Sequence, residues 1–160
     1  LRFEIALFNN NAHIQKQAVN EVLKYNDLTS HFGLELTEKQ AIALVETRIF
    51  ALKENGRIEF GGGVIDKLIY KFCDSPYIWA NNYEQILHDL IETFYYYKNE
   101  TLDLISDDDL INYMKTAFDG VCQGSLELLS GRELDRLAHN MRYGYAPNYM
   151  QDEEDEDGEY

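Results

Sequence analysis

Residues Thr37 to Gly56 read TEKQAIALVETRIFALKENG, and their spacing predicts the element that decides the fold class. Thr37 followed by Gln40 is a capping box, in which a hydroxyl and a side-chain amide each satisfy a backbone N–H left open at a helix start. Ile42, Val45, Ile49 and Leu52 recur at intervals of three and four, flanked by Ala41, Leu44 and Phe50. A stripe that wide predicts a helix facing the core on more than one side. Asn55-Gly56 ends it, because both residues tolerate the left-handed conformation of a helix stop.

The same pattern extends outward in both directions. Upstream, Ile14, Ala18, Val22 and Tyr25 predict a helix from about Ala12 to Tyr25, broken at Thr29, Ser30 and Gly33. Downstream, Val64, Ile65, Leu68, Ile69 and Phe72 predict another, and Asn82 to Lys98 carries Tyr83, Ile86, Leu87, Leu90, Ile91, Phe94 and Tyr95. Ser106 with Asp109 opens a helix whose first turn, Asp107 to Asp109, sets negative charge at the positive end of the dipole. Ser130 with Glu133 reads as a further capping box, opening a helix with Leu134, Leu137, Ala138 and Met141 that Gly144 stops. Leu1, Phe3, Ile5 and Leu7 alternate with other residues, and Ile58 and Phe60 point one way. The expectation is a mainly α fold, a compact bundle of about six helices, with a minor two-stranded β element near 1–8 and 57–60. Residues 1–150 are expected to form a single helical domain and 151–160 a disordered acidic tail.

The chain has 160 residues, with 29 Asp and Glu against 14 Lys and Arg. Asp152 to Glu159 holds seven of the acids, and removing them from the net charge of −15 leaves −8 on the first 151 positions. So acidic a surface does not suit the phosphate contacts of a general nucleic-acid binder. No apolar run approaches the roughly 18 residues of a membrane span, and none has the pattern of a cleaved signal. Cys73 and Cys122 form no C-x-x-C, which argues for two reduced thiols in a cytoplasmic protein.

Four places carry residues with chemical potential. Arg57, Glu59, Gly61, Gly62 and Gly63 form a glycine-rich turn ahead of a helix, able to point amide hydrogens at a ligand. It lacks both nucleotide-binding glycine spacings, and its plain alternative is a tight turn under another helix. Cys73 and Asp74 supply a thiol beside a carboxylate, with no local signature tying a base to either cysteine; a structural thiol is the alternative. Glu84, His88 and Glu92 share one helix face at metal-ligand spacing, although position 85 is Gln, so the Glu-x-x-His of diiron bundles is missing. An ordinary solvated face explains them as well. Tyr95, Tyr96 and Tyr97 wrap one helical turn, so at least one ring is expected to face outward, where tyrosine suits a binding surface.

Four segments agree, in order, with the pattern of a known family. They are Gly56-Arg57-Ile58-Glu59-Phe60-Gly61-Gly62-Gly63, Phe72-Cys73-Asp74-Ser75-Pro76-Tyr77, Phe94-Tyr95-Tyr96-Tyr97-Lys98-Asn99-Glu100, and Phe118 through Leu126. The chain thereby resembles, from about Asn20 to Arg142, an uncharacterised family of small acidic proteins from anaerobic Gram-positive bacteria, a domain of unknown function. The resemblance implies a cytoplasmic bacterial domain and carries no catalytic residue over.

With no complete catalytic signature and no cofactor motif, the leading expectation is a non-enzymatic protein-interaction or accessory domain whose partner is another protein. Two alternatives stay open. One is a small-ligand or metal-dependent enzyme with its site near the Gly61–Gly63 turn and Cys73-Asp74. The other is an acidic mimic of nucleic acid.

Overall fold

A computed structural model of the chain describes residues 13, 15–59 and 63–144. Its described residues are mainly α and include no strand. Of the predicted β element, residues 57–59 have no regular structure, while 1–8 and Phe60 lie outside the described residues. Two units are resolved, Leu1–Glu92 and Thr93–Tyr160.

The described part of the first unit has a helix over residues 15–24 (α1), then a single turn Asn26–Thr29 (α2) that tightens into a 3-10 turn at Ser30–Phe32. Gly33, at φ +78°, stops it. The next residues, 34–37, run without regular structure, and side chains tie their backbone down. Asn26 donates from Nδ2 to the Leu36 carbonyl and accepts at Oδ1 from the Leu36 N–H, each at 2.9 Å. Thr29 Oγ1 donates to the Leu34 carbonyl at 2.7 Å. Leu34 and Leu36 are thereby fixed inward, at 1% and 4% exposure.

The capping box forms as read. Gln40 N–H donates to Thr37 Oγ1 and Thr37 N–H to Gln40 Oε1, opening α3 at Glu38–Glu54. Gly56 closes it at φ +64°, with Arg57 N–H donating to the Leu52 carbonyl. The buried side of α3 differs from the expected stripe. It comprises Ala41, Leu44, Val45, Arg48, Ala51 and Leu52, whereas Ile42, Ile49 and Phe50 are exposed at 41%, 37% and 58%. Both stripes satisfy helical spacing. The one turned inward has small alanines that allow close packing and a central arginine with its own partner.

α4 spans Ile65–Phe72 and buries Ile65, Leu68, Ile69 and Phe72. A turn built on Ser75 and Asn82 leads into α5, Tyr83–Glu100, whose first half buries Tyr83, Ile86, Leu87, Leu90 and Ile91.

The second unit begins within α5, where Phe94, Tyr95, Tyr97 and Lys98 are buried. Phe94 and Tyr95 meet edge to face with centroids 5.0 Å apart. A short loop leads to α6 at Asp107–Asp119, capped by Ser106, whose Oγ accepts the Asp109 N–H at 3.1 Å. The last helix corrects the sequence reading. It starts at Leu126 with Ser125 as its cap, so Ser130 lies within the helical run rather than at its start. Leu126–Leu128 (α7) passes through a wide π turn, Leu129–Leu134, into α8 at Asp135–Arg142. Tyrosine hydroxyls satisfy carbonyls of that turn: Tyr97 approaches Ser130 O at 2.5 Å, and Tyr113 donates to Glu133 O at 3.2 Å. The carboxylate of Glu133 is itself buried between Arg132 and Arg136, at 2.8 and 2.9 Å.

Candidate functional site

Around the glycine turn of the first unit, the organising residue is one the sequence reading passed over. Arg48 projects from the buried side of α3, and its Nη2 lies 3.2 Å from Glu59 Oε1. Gly63 lies directly over the guanidinium. At φ +76° it occupies the left-handed region, and a Cβ there would stand 2.2 Å from Arg48 Nε. Glycine is therefore required twice, for its backbone angle and for the approach. Asp66 lies one turn on, in α4. Burial first, and then the nearby Glu21, push its carboxyl up to about 6, against the opposing pull of Arg48.

Of the expected ligand set, Arg57 and Glu59 are half-buried and Gly63 packs on Arg48; Gly61 and Gly62 lie outside the described residues. Cys73 and Asp74 sit beyond the opposite end of α4. That helix has eight residues, which separates them from Gly63 by about 12 Å of helix length. Cys73 is buried, with Sγ donating to the Tyr70 carbonyl at 3.4 Å, while Asp74 is exposed. The glycine turn and the thiol thus mark two ends of a helix. The signal for Arg48 was present in the sequence as a cation in the middle of the Leu44, Val45, Ala51 and Leu52 stripe.

His88 is held at both ring nitrogens. Its Nε2 is 3.1 Å from Glu84 Oε2 and its Nδ1 is 2.7 Å from Thr47 Oγ1 on α3. A carboxylate only accepts, so Nε2 carries the proton toward Glu84, and in the neutral ring Nδ1 accepts from the threonine. Glu92 is exposed one turn further along. Among the described residues, no three His, Cys, Asp or Glu side chains are grouped to hold a metal ion.

In the second unit the three tyrosines divide. Tyr95 and Tyr97 are core residues and Tyr96, half exposed, faces out. Burial and the adjacent Asp135 raise the Tyr97 hydroxyl far above the ordinary tyrosine range. Cys122 is buried, and burial with the nearby Glu133 pushes its thiol up, against a smaller opposing effect of Arg132. That is the reverse of what a nucleophilic cysteine needs.

A family model described as a family of unknown function, DUF6323, matches residues 21–147. The chain belongs to DUF6323. No curated protein and no solved structure matches it. The DUF6323 region contains Arg48, Glu59, Gly63 and Asp66 of the first unit, and the π turn with its tyrosine donors in the second. The seven acids of Asp152 to Glu159 fall beyond it.

Proposed function

We propose that this DUF6323 chain is a non-enzymatic interaction or accessory domain of the bacterial cytoplasm that binds another protein. The observation that carries the reading is the outer face of α3, where Ile42, Ile49 and Phe50 are partly exposed around Glu46 on a helix capped at both ends. These residues sit at i, i+7 and i+8, and therefore on one side. Scattered apolar side chains need no explanation, but a set aligned on one rigid helix face does. Two of the groups expected to do chemistry support the same reading by their employment elsewhere: Glu59 pairs with Arg48 at the glycine turn, and His88 ties α5 to α3. With a net charge of −15, general nucleic-acid binding is no part of the proposal.

The test is affinity capture from lysate of the source organism with the wild-type chain and with Phe50→Asp. A protein retained by the wild type and lost from the variant, at unchanged thermal stability, is expected. Identical captured sets, or none above background, refute the reading.

A second reading, a small-ligand enzyme working near the glycine turn, has Asp66 in its favour. A carboxyl that titrates near 6 beside a glycine turn has the character of an acid–base group. Thermal-shift screening against small anions and divalent metals, compared between wild type and Asp66→Asn, separates this reading from the first.

A further inference from the structure

The loop between α5 and α6 combines features that folding alone does not call for. Leu102 and Asp103 both lie in the left-handed region, at φ 59° and 57°, although neither is glycine. A leucine there is strained, whereas glycine or asparagine would sit easily. The strain is held by a dense set of hydrogen bonds. Leu102 N–H donates to Asn99 O, Asp103 N–H to Lys98 O and Leu104 N–H to Thr101 O, at 2.9–3.0 Å. Thr101, fully buried, donates from Oγ1 to Tyr97 O at 2.7 Å. Lys98 is 6% exposed; its ammonium donates to Ile105 O and pairs with Asp107 at 3.0 Å and, more distantly, with Asp103 at 3.8 Å.

What this framework presents to water is two leucines. Thr101 and Ile105 point inward as anchors, and Leu102 and Leu104 between them are exposed at 57% and 61%. The backbone of the knob is hydrogen-bonded in place before any partner arrives, which lowers the ordering entropy lost on contact. Its rim is acidic. Asp103 and Asp107 flank the ammonium of Lys98, which is turned inward, and Asp108 and Asp109 follow, exposed, on the first turn of α6. Those on the first turn of α6 outweigh the roughly half positive charge of the helix end.

We propose that the Leu102–Leu104 loop is a docking knob for a cationic amphipathic segment of another protein. That segment places its apolar side chains over the two leucines and its Lys or Arg residues against the aspartates. Charge complementarity selects this occupant. A second copy of the chain brings another −15 to the same rim, and an anionic membrane surface is repelled by it. The proposal goes beyond the α3 face and rests on different residues.

The experiment selects peptides from a displayed random library against the full chain, then measures each enriched peptide by fluorescence anisotropy. Wild type is compared with the double variant Leu102→Asn, Leu104→Asn, since asparagine tolerates the left-handed backbone and leaves the fold in place. A second comparison uses Asp108→Asn, Asp109→Asn. Enriched peptides are expected to carry Lys or Arg with apolar residues at helical spacing. They should lose about tenfold or more in affinity against the leucine variant. They should also weaken several-fold at 0.5 M salt and against the aspartate variant. Enrichment of neutral or acidic peptides, binding unchanged in the leucine variant, or no enrichment overturns the proposal. So does self-association, or vesicle binding, that the leucine variant abolishes. Phe50→Asp run in parallel separates the surfaces: peptides lost with Phe50 and kept without the leucines sink the knob and leave the α3 face standing.

Discussion

Replacing Gly63 with alanine tests the central arrangement of the first unit, and Gly33 supplies its control. Both glycines have nearly the same backbone angle, φ +76° and +78°. An alanine at either position therefore carries the same left-handed penalty, about 1 kcal/mol. They differ in what a new Cβ meets. At Gly33 nothing lies within 4 Å, while at Gly63 the Arg48 guanidinium atoms stand at 2.2, 2.3 and 2.5 Å. The guanidinium is the flexible end of its side chain, so it moves and the backbone stays. Moving it pulls Nη2 from Glu59, and the arginine side chain is only 7% exposed where it would be left. Weakening a largely buried charged hydrogen bond adds about 1–2 kcal/mol, which brings Gly63→Ala to roughly 2–3 kcal/mol against about 1 for Gly33→Ala. Urea unfolding followed by far-UV circular dichroism measures both. In an Arg48→Ala background the extra cost at Gly63 should vanish, which makes the coupling a double-mutant cycle. Equal losses at the two glycines, or an excess at Gly63 that survives removal of Arg48, would refute the account.

Two further outcomes come from groups whose surroundings are fixed. Asp66 is raised from 3.8 to about 6 in the folded chain, so the native state binds the proton more tightly and stability falls as pH rises from about 4 to 6. Asp66→Asn should then exceed the wild type by about 1 kcal/mol at pH 7.5, after allowance for screening at a half-exposed site, with the gap closing near pH 4. Thermal melts at the two pH values check it, and a constant gap counts against it. Tyr97→Phe removes the hydroxyl that serves Ser130 O and Asp135, and should cost about 1–2 kcal/mol in chemical denaturation. Tyr96→Phe, on an exposed ring, should stay within about 0.5 kcal/mol, and equal effects would mean the hydroxyl contacts do not stabilise the π turn.

Local chemistry was legible in the sequence and distant chemistry was not. The Thr37–Gln40 box and the Ser106 cap are settled within three residues, so the sequence carried them whole. The same motif at Ser130 and Glu133 misled because the helical run has already begun at Ser125, whose Oγ accepts the Leu128 N–H, so Ser130 meets no open helix start to cap. On α3, two stripes had equal claims by spacing, and only the third dimension chose between them. At the glycine turn, what requires Gly63 is Arg48, 15 positions before it. Cys73 and Asp74, expected to share a cleft with that turn, lie beyond the far end of α4, a separation set by the length of the helix between them.

The wide turn at Leu129–Leu134 sets the rotational phase of α8. Counted along an unbroken α-helix at about 100° per residue, Leu129 and Ala138 would face roughly opposite ways. Both are buried, as are Leu134 and Leu137 between them. A turn closed by i→i+5 bonding takes up one extra residue and winds the later segment back by about one residue's rotation. Leu129 and the inward side chains of α8 then fall on a common side. The irregularity works as a vernier: it lets a sequence out of step with the α repeat keep one continuous apolar seam.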